Sequence, residues 1–241
     1  MSRAASVLVM SRAPRPGHTK TRLQPLLGAH GCARLQTALI THTATIAAAA
    51  APGSVFVAVD PAGALREVAD LIDPTLTAMR VFAQQGGSLG DRMHAALTYT
   101  ARARPGPVVL IGTDVPHLNA AHIRTAVHML ECGDDVVFGP AADGGYYLIA
   151  VNRPNPAVFA IDPALWGGPR VLEASVAAAR DAGLHIGFLP ILEDLDTAED
   201  ARALIDDDTV PLAIRSLLGN PAPDSVRSTC ETSDAATGAQ A

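Results

Sequence analysis

Residues 7–22 read VLVMSRAPRPGHTKTR, an unbroken apolar run that passes directly into a basic loop. Such a run is typical of a strand that is buried on both faces. In α/β proteins, phosphates bind at the carboxyl ends of strands like this one, where a glycine lets the backbone approach an anion. Four residues of the segment carry a fixed positive charge: Arg12, Arg15, Lys20 and Arg22. We therefore predict a phosphate-binding loop that also includes Pro16, Gly17 and His18.

A basic segment that simply faces solvent is the alternative interpretation of this loop. The loop lacks the glycine-rich lysine signature of a P-loop, and it lacks the three-glycine fingerprint of dinucleotide-binding domains. Neither a P-loop ATPase nor a Rossmann dehydrogenase is therefore indicated, and the choice between the two interpretations depends on the rest of the chain.

Short β-branched runs alternate with longer segments rich in alanine and leucine. The strand candidates are residues 7–10, 55–59, 80–83, 108–111, 136–138, 146–151 and 185–189. The helix candidates are residues 32–50, 64–72, 89–101, 120–130 and 171–182. This alternation predicts an α/β fold with a mostly parallel central sheet and helices on both faces.

One pair of strand candidates breaks the alternation, because residues 136–138 and 146–151 are joined through the short segment AADGG at residues 141–145. This connection is too short for a crossover helix, so we predict an antiparallel element at this point. Residues 1–219 are predicted to form a single domain. Residues 220–241 contain almost no large apolar side chains and are predicted to be a disordered tail.

The composition disfavours several classes of protein. The 241-residue chain has a formal net charge of -6, whereas a general nucleic-acid binder needs an extended basic surface. Three isolated cysteines, Cys32, Cys132 and Cys230, disfavour a disulfide framework or a structural zinc site. We expect no membrane span and no signal peptide, because the apolar runs are too short. The expected location is the cytoplasm, and a homodimer is one oligomeric state that the sequence leaves open.

A glycine-containing turn follows the third strand candidate, at Gln85, Gly86 and Gly87. Its backbone groups would be accessible to the edge of a base, and Ser88 is placed to cap the next helix with its amino end toward the site. Arg92 would reach a phosphate or pair with Asp91. A plain capped start of a helix is the alternative for all of these residues.

Acidic residues follow two other strand candidates. Thr113 and Asp114 come directly after residues 108–111, and Asp194 and Asp196 follow the last candidate. Mg²⁺ requires oxygen ligands and is commonly held by one or two carboxylates together with substrate phosphates. We predict that Asp114 and Asp196 bind Mg²⁺ or Mn²⁺, with Asp194 directed toward the same ion. The alternatives are local roles in turns and helix caps.

Five motifs occur in the order found in a bacterial protein family. They are KTRLQPLLG at residues 20–28, the glycine turn at residues 85–92, GTDVP at residues 112–116, GPAADGGYYLI at residues 139–149 and DLDT at residues 194–197. Together they resemble an uncharacterised bacterial family of glycosyltransferase-like proteins in the GT-A, or nucleotide-diphospho-sugar transferase, superfamily. This resemblance covers most of the chain and implies a GT-A-like fold.

The basic loop and the two acidic motifs also look like those of 2-phospholactate or phosphoenolpyruvate guanylyltransferases. In those relatives the matching loop holds a triphosphate, and aspartates that match Asp114 and Asp196 hold Mg²⁺. The turn at residues 142–147 departs from the guanylyltransferase pattern, so the resemblance does not extend to their acceptor. By resemblance to the GT-A family, the acceptor pocket is lined by Asp143, Gly144, Gly145, Tyr146 and Trp166.

The sequence therefore predicts a metal-dependent transferase that binds a nucleotide and a small-molecule acceptor. In the favoured hypothesis Lys20, Arg22 and Asp114 are catalytic, and the acceptor attacks the α-phosphate of an NTP with release of pyrophosphate. The nucleotide-binding residues would be Arg12, Pro16, Gly17, Gln85, Gly86, Gly87, Arg92 and Thr113. The alternatives are transfer of a sugar from a sugar nucleotide, with Asp143 as the base, and a non-catalytic nucleotide-binding protein.

Overall fold

The computed structural model describes residues 4–72 and 79–219. Its centre is a seven-stranded sheet formed by β1 (Ser6–Arg12), β2 (Val55–Asp60), β3 (Arg80–Ala83), β4 (Val108–Ile111), β5 (Val136–Pro140), β6 (Tyr146–Val151) and β7 (Ile186–Phe188). The strands lie in the order β3-β2-β1-β4-β6-β5-β7 across the sheet. Every predicted strand is present, and its ends lie close to the predicted ones.

Strand β6 is the strand of this sheet that runs against its neighbours. It pairs antiparallel with β4 and β5, and the other strand pairs in the sheet are parallel. The predicted antiparallel element is therefore confirmed. Because β6 is reversed, its first residue, Tyr146, lies at the edge of the sheet where β1, β2 and β4 end. This reversal brings the turn at residues 141–145 to the same edge as the basic loop.

Helices cover both faces of the sheet, as predicted. They are α1 (Gln24–Ala50), α2 (Leu65–Leu71), α3 (Leu89–Ala103), α4 (Ala120–Glu131), α5 (Val171–Asp181), α6 (Ala198–Ile205) and α7 (Leu212–Leu218). Successive side chains of a strand point to opposite faces. Val7 and Val9 of β1 therefore join a buried cluster with α1, α2 and α4, whereas Leu8 joins a second cluster with α3 and α5.

A third apolar cluster connects the amino-terminal part of α1 with α6 and α7. Leu23, directly after the basic loop, and Leu195, in the acidic segment at residues 194–197, are both fully buried in it. Their burial holds the basic loop and the acidic segment side by side. Lys20 of the loop and Leu195 of the acidic segment are 175 residues apart in the sequence. Apolar packing outside the sheet thus positions the charged groups of the cleft described below.

The helices differ from the predictions mainly at the ends of the chain. Helix α1 begins at Gln24, well before residue 32, and Gly28 interrupts its geometry with a positive φ of 67°. The helix candidates do not include α6 or α7, the two short helices at the end of the described chain. None of the helices within the described ranges is long and apolar enough to cross a membrane. Residues 220–241, with the predicted tail and Cys230, lie outside the described residues.

Candidate active site

The carboxyl ends of β1, β2 and β4 and the start of β6 surround a cleft of about 560 Å³. The predicted site residues that line it are Arg12, Lys20, Arg22, Arg92, Thr113, Asp114, Asp143, Tyr146 and Asp196. These residues come from separate segments of the chain, and the strand order brings them to one edge of the sheet. The position is the one at which α/β sheets generally bind ligands.

Lys20 lies at the centre of the polar contacts in this cleft. Its ammonium group donates to Asp114 Oδ1 at 2.7 Å, to Asp196 Oδ1 at 2.9 Å and to the carbonyl oxygen of Leu195 at 2.7 Å. Only 5% of the side chain is exposed. With φ of 47°, Lys20 is also the sole non-glycine residue of the described chain in the left-handed region. The two aspartates predicted as metal ligands therefore converge on one point.

The protonation of Lys20 is set by its surroundings. Burial alone would lower the pKa of Lys20, but the carboxylates of Asp114 and Asp196 outweigh burial and raise the pKa above its ordinary value. Lys20 is thus positively charged near neutral pH. The two aspartates are only partly covered, because 48% of the Asp114 side chain and 39% of the Asp196 side chain remain exposed. Both side chains consequently remain accessible to a ligand in the cleft that they line.

Asp194 lies in a neighbouring cavity of about 430 Å³. Other residues that line this cavity include Arg22, Asp143 and Asp196. Oδ2 of Asp194 is buried and has no hydrogen-bond partner among the described residues. Burial, followed by the charge of Asp143 and the other nearby carboxylates, raises the pKa of Asp194 to about 7. Of the two acidic residues in this segment, Asp196 is the one whose carboxylate meets Asp114 at Lys20.

Gln36 of α1 supports the end of the cleft at β1 and β4. The sequence analysis does not single out this residue. Its amide group donates to the carbonyl oxygen of Arg12 at 3.3 Å and to Thr113 Oγ1 at 3.2 Å, which connects the ends of β1 and β4. The backbone N–H of Leu195 donates to the carbonyl oxygen of Asp114 at 2.8 Å. These bonds fix Asp114 relative to the acidic segment. The sequence signal for this role is a glutamine among the apolar residues of a helix rich in alanine and leucine.

The opposite end of the cleft, at β2 and β3, is held by other side chains. Gln84 Nε2 donates to the carbonyl oxygens of Ser11 at 3.2 Å and Ala58 at 3.1 Å. Arg92 pairs with Asp60, with 3.3 Å between Nη1 and Oδ2. Gln84 and Asp60 both line the cleft. The sequence offers a signal for both residues, because Asp60 ends β2 and Gln84 directly follows β3.

The glycine turn at residues 85–87 packs against the start of α3. Ser88 Oγ accepts the N–H of Asp91 at 3.1 Å, and the Asp91 carboxylate accepts the N–H of Ser88 at 3.0 Å, so the predicted cap is confirmed. Gly86 has φ of 131°, and a Cβ there would lie 2.9 Å from the backbone nitrogen of Arg92. The turn itself is not among the residues that line the cleft in the described structure. Contact of Gln85, Gly86 and Gly87 with a base stays a prediction.

The turn predicted to bind an acceptor is held in place by its neighbours. Asp143 Oδ1 accepts the N–H of Gly145 at 2.8 Å, while the Asp143 side chain lines the cleft. Gly144 has φ of 89°, and a Cβ there would overlap the carbonyl oxygen of Pro169. A glycine is therefore required at residue 144 for both its conformation and its space. Acceptor binding by Gly144 and Gly145 stays a prediction.

Two aromatic residues of the predicted acceptor pocket differ in their exposure to the cleft. Tyr146 lines the cleft, but its hydroxyl oxygen is buried, and burial raises the pKa of this group above its ordinary value. Trp166 packs on the first turn of α3, where a Cβ at Gly90 would overlap the indole ring. Trp166 thus supports the wall of the cleft, and its neighbour Gly167 lines the cleft itself. A contact between Trp166 and an acceptor stays a prediction.

The remaining residues of the basic loop lie apart from the cleft lining. Arg15 pairs with Glu67, with 3.2 Å between Nε and Oε2. Pro16, Gly17 and His18 are exposed on the outer part of the loop. Of the predicted cations, Arg12 and Arg22 line the cleft, and within residues 4–72 and 79–219 they form no ion pair.

Comparison with known families agrees with this architecture. A family model described as "Uncharacterized protein conserved in bacteria (DUF2064)" matches residues 43–164. The chain belongs to this family. The expectation of an uncharacterised bacterial family is thereby confirmed, whereas the relation to the guanylyltransferases stays a prediction. A comparison with proteins of curated function gives no match.

Solved structures share the fold of this DUF2064 protein. A protein from Desulfovibrio desulfuricans, described as a nucleotide-diphospho-sugar transferase, is 28% identical with a TM-score of 0.76, covering 91% of this chain and 95% of that chain. Rv0371c from Mycobacterium tuberculosis is 20% identical with a TM-score of 0.50, covering 86% and 100%. The 4-diphosphocytidyl-2C-methyl-D-erythritol synthase of Anaerococcus prevotii is 9% identical with a TM-score of 0.51, covering 82% and 92%. The last two likenesses concern the fold alone. The likeness to the Desulfovibrio desulfuricans structure confirms the predicted GT-A-like class.

Proposed function

We propose that this protein is a nucleotidyltransferase that uses an NTP and a small-molecule acceptor, with Mg²⁺ or Mn²⁺, and releases pyrophosphate. The observation that carries the proposal is the convergence of Asp114 and Asp196 on one point of a cleft that also presents Arg12 and Arg22. Nucleotidyl transfer requires neutralisation of the β- and γ-phosphates as pyrophosphate leaves, and positioned cations supply it. The reaction needs no nucleophile from the protein.

The two carboxylates fit a hard divalent cation. Mg²⁺ keeps several water molecules and is usually bound through one or two carboxylates together with substrate phosphates. Asp114 and Asp196 offer this donor set, because both line the cleft, their side chains are partly exposed and Lys20 contacts only Oδ1 of each. Within the part of the chain that the structure describes, no group of three acidic, histidine or cysteine side chains is arranged to hold an ion without a substrate. When bound, the ion would neutralise and polarise the phosphates.

The order of the strands gives the nucleotide a direction in the cleft. Neighbouring strands are about 4.8 Å apart and β1 lies between β2 and β4, so the ends of β2 and β4 are about 10 Å apart. A nucleoside triphosphate is long enough to bridge them. The phosphates would lie near Asp114, Arg12 and Arg22, and the base would lie near Asp60 and Gln84.

The acceptor would approach from the β6 side of the cleft, where Asp143 and Tyr146 line it. The position of the turn is fixed by the packing of Gly144 on Pro169. Such a rigid turn is suited to hold an acceptor hydroxyl or anion in line with the α-phosphate, because rate acceleration by positioning requires fixed geometry.

Sugar transfer from a nucleotide-diphospho-sugar is the second candidate function. It is favoured by the 28% identity to the Desulfovibrio desulfuricans protein that is described as a transferase of this type. In this case Asp143 would act as the base that activates the acceptor hydroxyl, and the cation would stabilise a departing nucleoside diphosphate. Arg12 and Arg22, which line the cleft and form no ion pair within the described residues, are a reason to prefer the more highly charged triphosphate.

A thermal-shift panel of NTPs and sugar nucleotides, each with and without Mg²⁺, would identify the donor. A ligand present at a hundredfold excess over its dissociation constant stabilises a protein by about 2.7 kcal/mol, which is readily measured. We expect an NTP to give the largest Mg²⁺-dependent shift and pyrophosphate to appear on addition of the acceptor. A shift confined to sugar nucleotides, with release of a nucleoside diphosphate, would contradict nucleotidyl transfer.

A pair of arginine variants would test the phosphate contacts. Arg22→Ala removes a cation from the cleft, so we expect a weaker triphosphate response and a smaller change with the free nucleoside. Arg15→Ala is the matched control, because Arg15 belongs to the same loop but pairs with Glu67. Equal losses for the two variants would show that the loop acts only through its overall charge.

A further inference from the structure

The cations of the basic loop that line the cleft differ in whether they have a partner. The ammonium group of Lys20 has three N–H donors, and Asp114, Asp196 and the Leu195 carbonyl accept all three. No donor of Lys20 therefore remains for a phosphate in this arrangement. Arg12 and Arg22, by contrast, are exposed at the cleft and form no ion pair within the described residues.

Lys20 also contacts one oxygen of each carboxylate that a divalent cation would bind. It holds Oδ1 of Asp114 and Oδ1 of Asp196 within 2.9 Å, so the two carboxylates meet around a single positive charge. A divalent cation bound to both carboxylates would lie next to this ammonium group, and like charges at contact distance repel strongly where water is partly excluded. Lys20 and a metal ion thus compete for the same two carboxylates.

We infer that Lys20 is an internal counter-cation for Asp114 and Asp196, which disfavours metal binding until a nucleotide is present. The inference deepens the proposed function and rests on it for the nucleotide-bound state. With a triphosphate and its ion bound, the ammonium group would exchange a carboxylate oxygen for a phosphate oxygen, and Asp114 and Asp196 would hold the ion. The long, flexible side chain of lysine permits such an exchange. Lys20 is a positioning residue that couples the two binding events.

A purely structural role for Lys20 makes the opposite prediction. Lys20 joins the basic loop to Asp114, which follows β4, and to the acidic segment. The backbone N–H of Leu195 also donates to the Asp114 carbonyl oxygen at 2.8 Å, which connects the last two. If Lys20 served only to hold these segments together, its removal would let the two carboxylates separate. Metal binding would then become weaker.

Titration with Mn²⁺ in the absence of nucleotide, followed by electron paramagnetic resonance of the free ion, separates the two roles. The proteins to compare are the wild type, Lys20→Met and Lys20→Gln, with Arg15→Met as the control. We expect both Lys20 variants to bind Mn²⁺ at least about tenfold more tightly than the wild type, because they remove a positive charge in contact with the ligands. Arg15→Met should change the affinity by less than about threefold, because Arg15 lies apart from the cleft, pairs with Glu67 and is partly exposed to solvent.

The Lys20→Gln variant keeps the test valid if Lys20→Met does not fold. Glutamine has a slightly shorter side chain and no charge, but its amide group keeps two N–H donors for the carboxylates. Circular dichroism establishes which variants are folded. An unchanged or weaker Mn²⁺ affinity in a folded Lys20 variant would overturn the counter-cation and assign Lys20 a structural role.

The same titration in the presence of the nucleotide selected by the thermal-shift panel tests the coupling. We expect the wild type to gain more Mn²⁺ affinity from the nucleotide than Lys20→Gln gains. Equal gains would overturn the exchange of Lys20 between carboxylate and phosphate. If no nucleotide binds to the wild type, the proposed function fails, whereas the nucleotide-free titration still decides whether Lys20 competes with the ion.

Discussion

The two ends of the cleft connect neighbouring strands through polar side chains, but they balance their charges differently. At the end formed by β2 and β3, Gln84 donates to backbone carbonyls and the charge of Arg92 is matched by Asp60. At the end formed by β4, the single charge of Lys20 faces two carboxylates. The comparison indicates that the first end is a preformed support, while the second retains an excess of negative charge that a ligand cation would neutralise.

The largest effect is expected from Asp114→Asn, at the unbalanced end. The variant removes one of two metal ligands and leaves an amide of similar shape beside Lys20. We expect complete loss of the Mg²⁺-dependent part of the thermal shift that the donor nucleotide produces. The fold should persist, because the backbone bond from Leu195 to the Asp114 carbonyl does not involve the side chain.

Asp60→Asn is the matched control at the balanced end. It also replaces a carboxylate that lines the cleft and pairs with a cation. We expect a weaker nucleotide response but an unchanged requirement for Mg²⁺. Loss of the Mg²⁺ requirement in Asp60→Asn would break the distinction between the two ends.

The acceptor side is addressed by Gly144→Ala. The substitution forces a residue with a side chain into positive φ and places its Cβ against the Pro169 carbonyl, so the turn must move. We expect a loss of about 2–3 kcal/mol in the free energy of unfolding, together with a fall in activity. Gly167→Ala is the control, since its φ is also positive at 81° but no atom lies within 4 Å of the new Cβ. Urea denaturation of the two variants should therefore show the larger loss for Gly144→Ala.

Gln84→Ala tests the support formed at β2 and β3. The variant leaves the Ser11 and Ala58 carbonyl oxygens without the donor that connects them. We expect the free energy of unfolding to fall by about 1–2 kcal/mol, with no change in Mn²⁺ affinity. A large change in Mn²⁺ affinity would show that the two ends of the cleft are not independent.

The smallest effect is expected from Asp194→Asn, and it should depend on pH. The pKa of Asp194 is raised from 3.8 to about 7, so the folded state loses stability as pH rises between these values and the full penalty applies above pH 7. The asparagine variant avoids this penalty, and we expect its Tm in metal-free buffer to exceed that of the wild type by about 2–4 °C at pH 8. The difference should shrink toward pH 5. A pH-independent difference would assign the effect to packing.

The sequence predicts the sheet well because its strands carry strong local signals. Unbroken apolar runs identify β1, β2 and β4, and the short connection at residues 141–145 identifies the reversed strand. The residues of the cleft follow from one positional rule, that polar residues after parallel strands meet at the same edge. The same rule applies to Gln84, which begins the motif after the third strand, and to Asp60, which the motif-based reasoning passes over.

The partners of individual side chains were not accessible from the sequence. The phosphate-binding prediction treats Lys20 as a free cation, yet its contacts depend on Leu195 and Asp196, which are brought near by a cluster of leucines far along the chain. Likewise, Arg92 has Asp91 beside it in sequence but pairs with Asp60. Such choices depend on distances of a few ångströms between segments, and no periodicity or motif encodes them.

Trp166 gives the molecule an intrinsic optical reporter. It is the chain's sole tryptophan, and its indole ring lies on Gly90 at the start of α3, next to a residue that lines the cleft. Fluorescence excited at the red edge of protein absorption therefore originates from this one position. Ligand entry, displacement of the wall and their rates can all be followed as a change in emission, without attaching a dye to the protein.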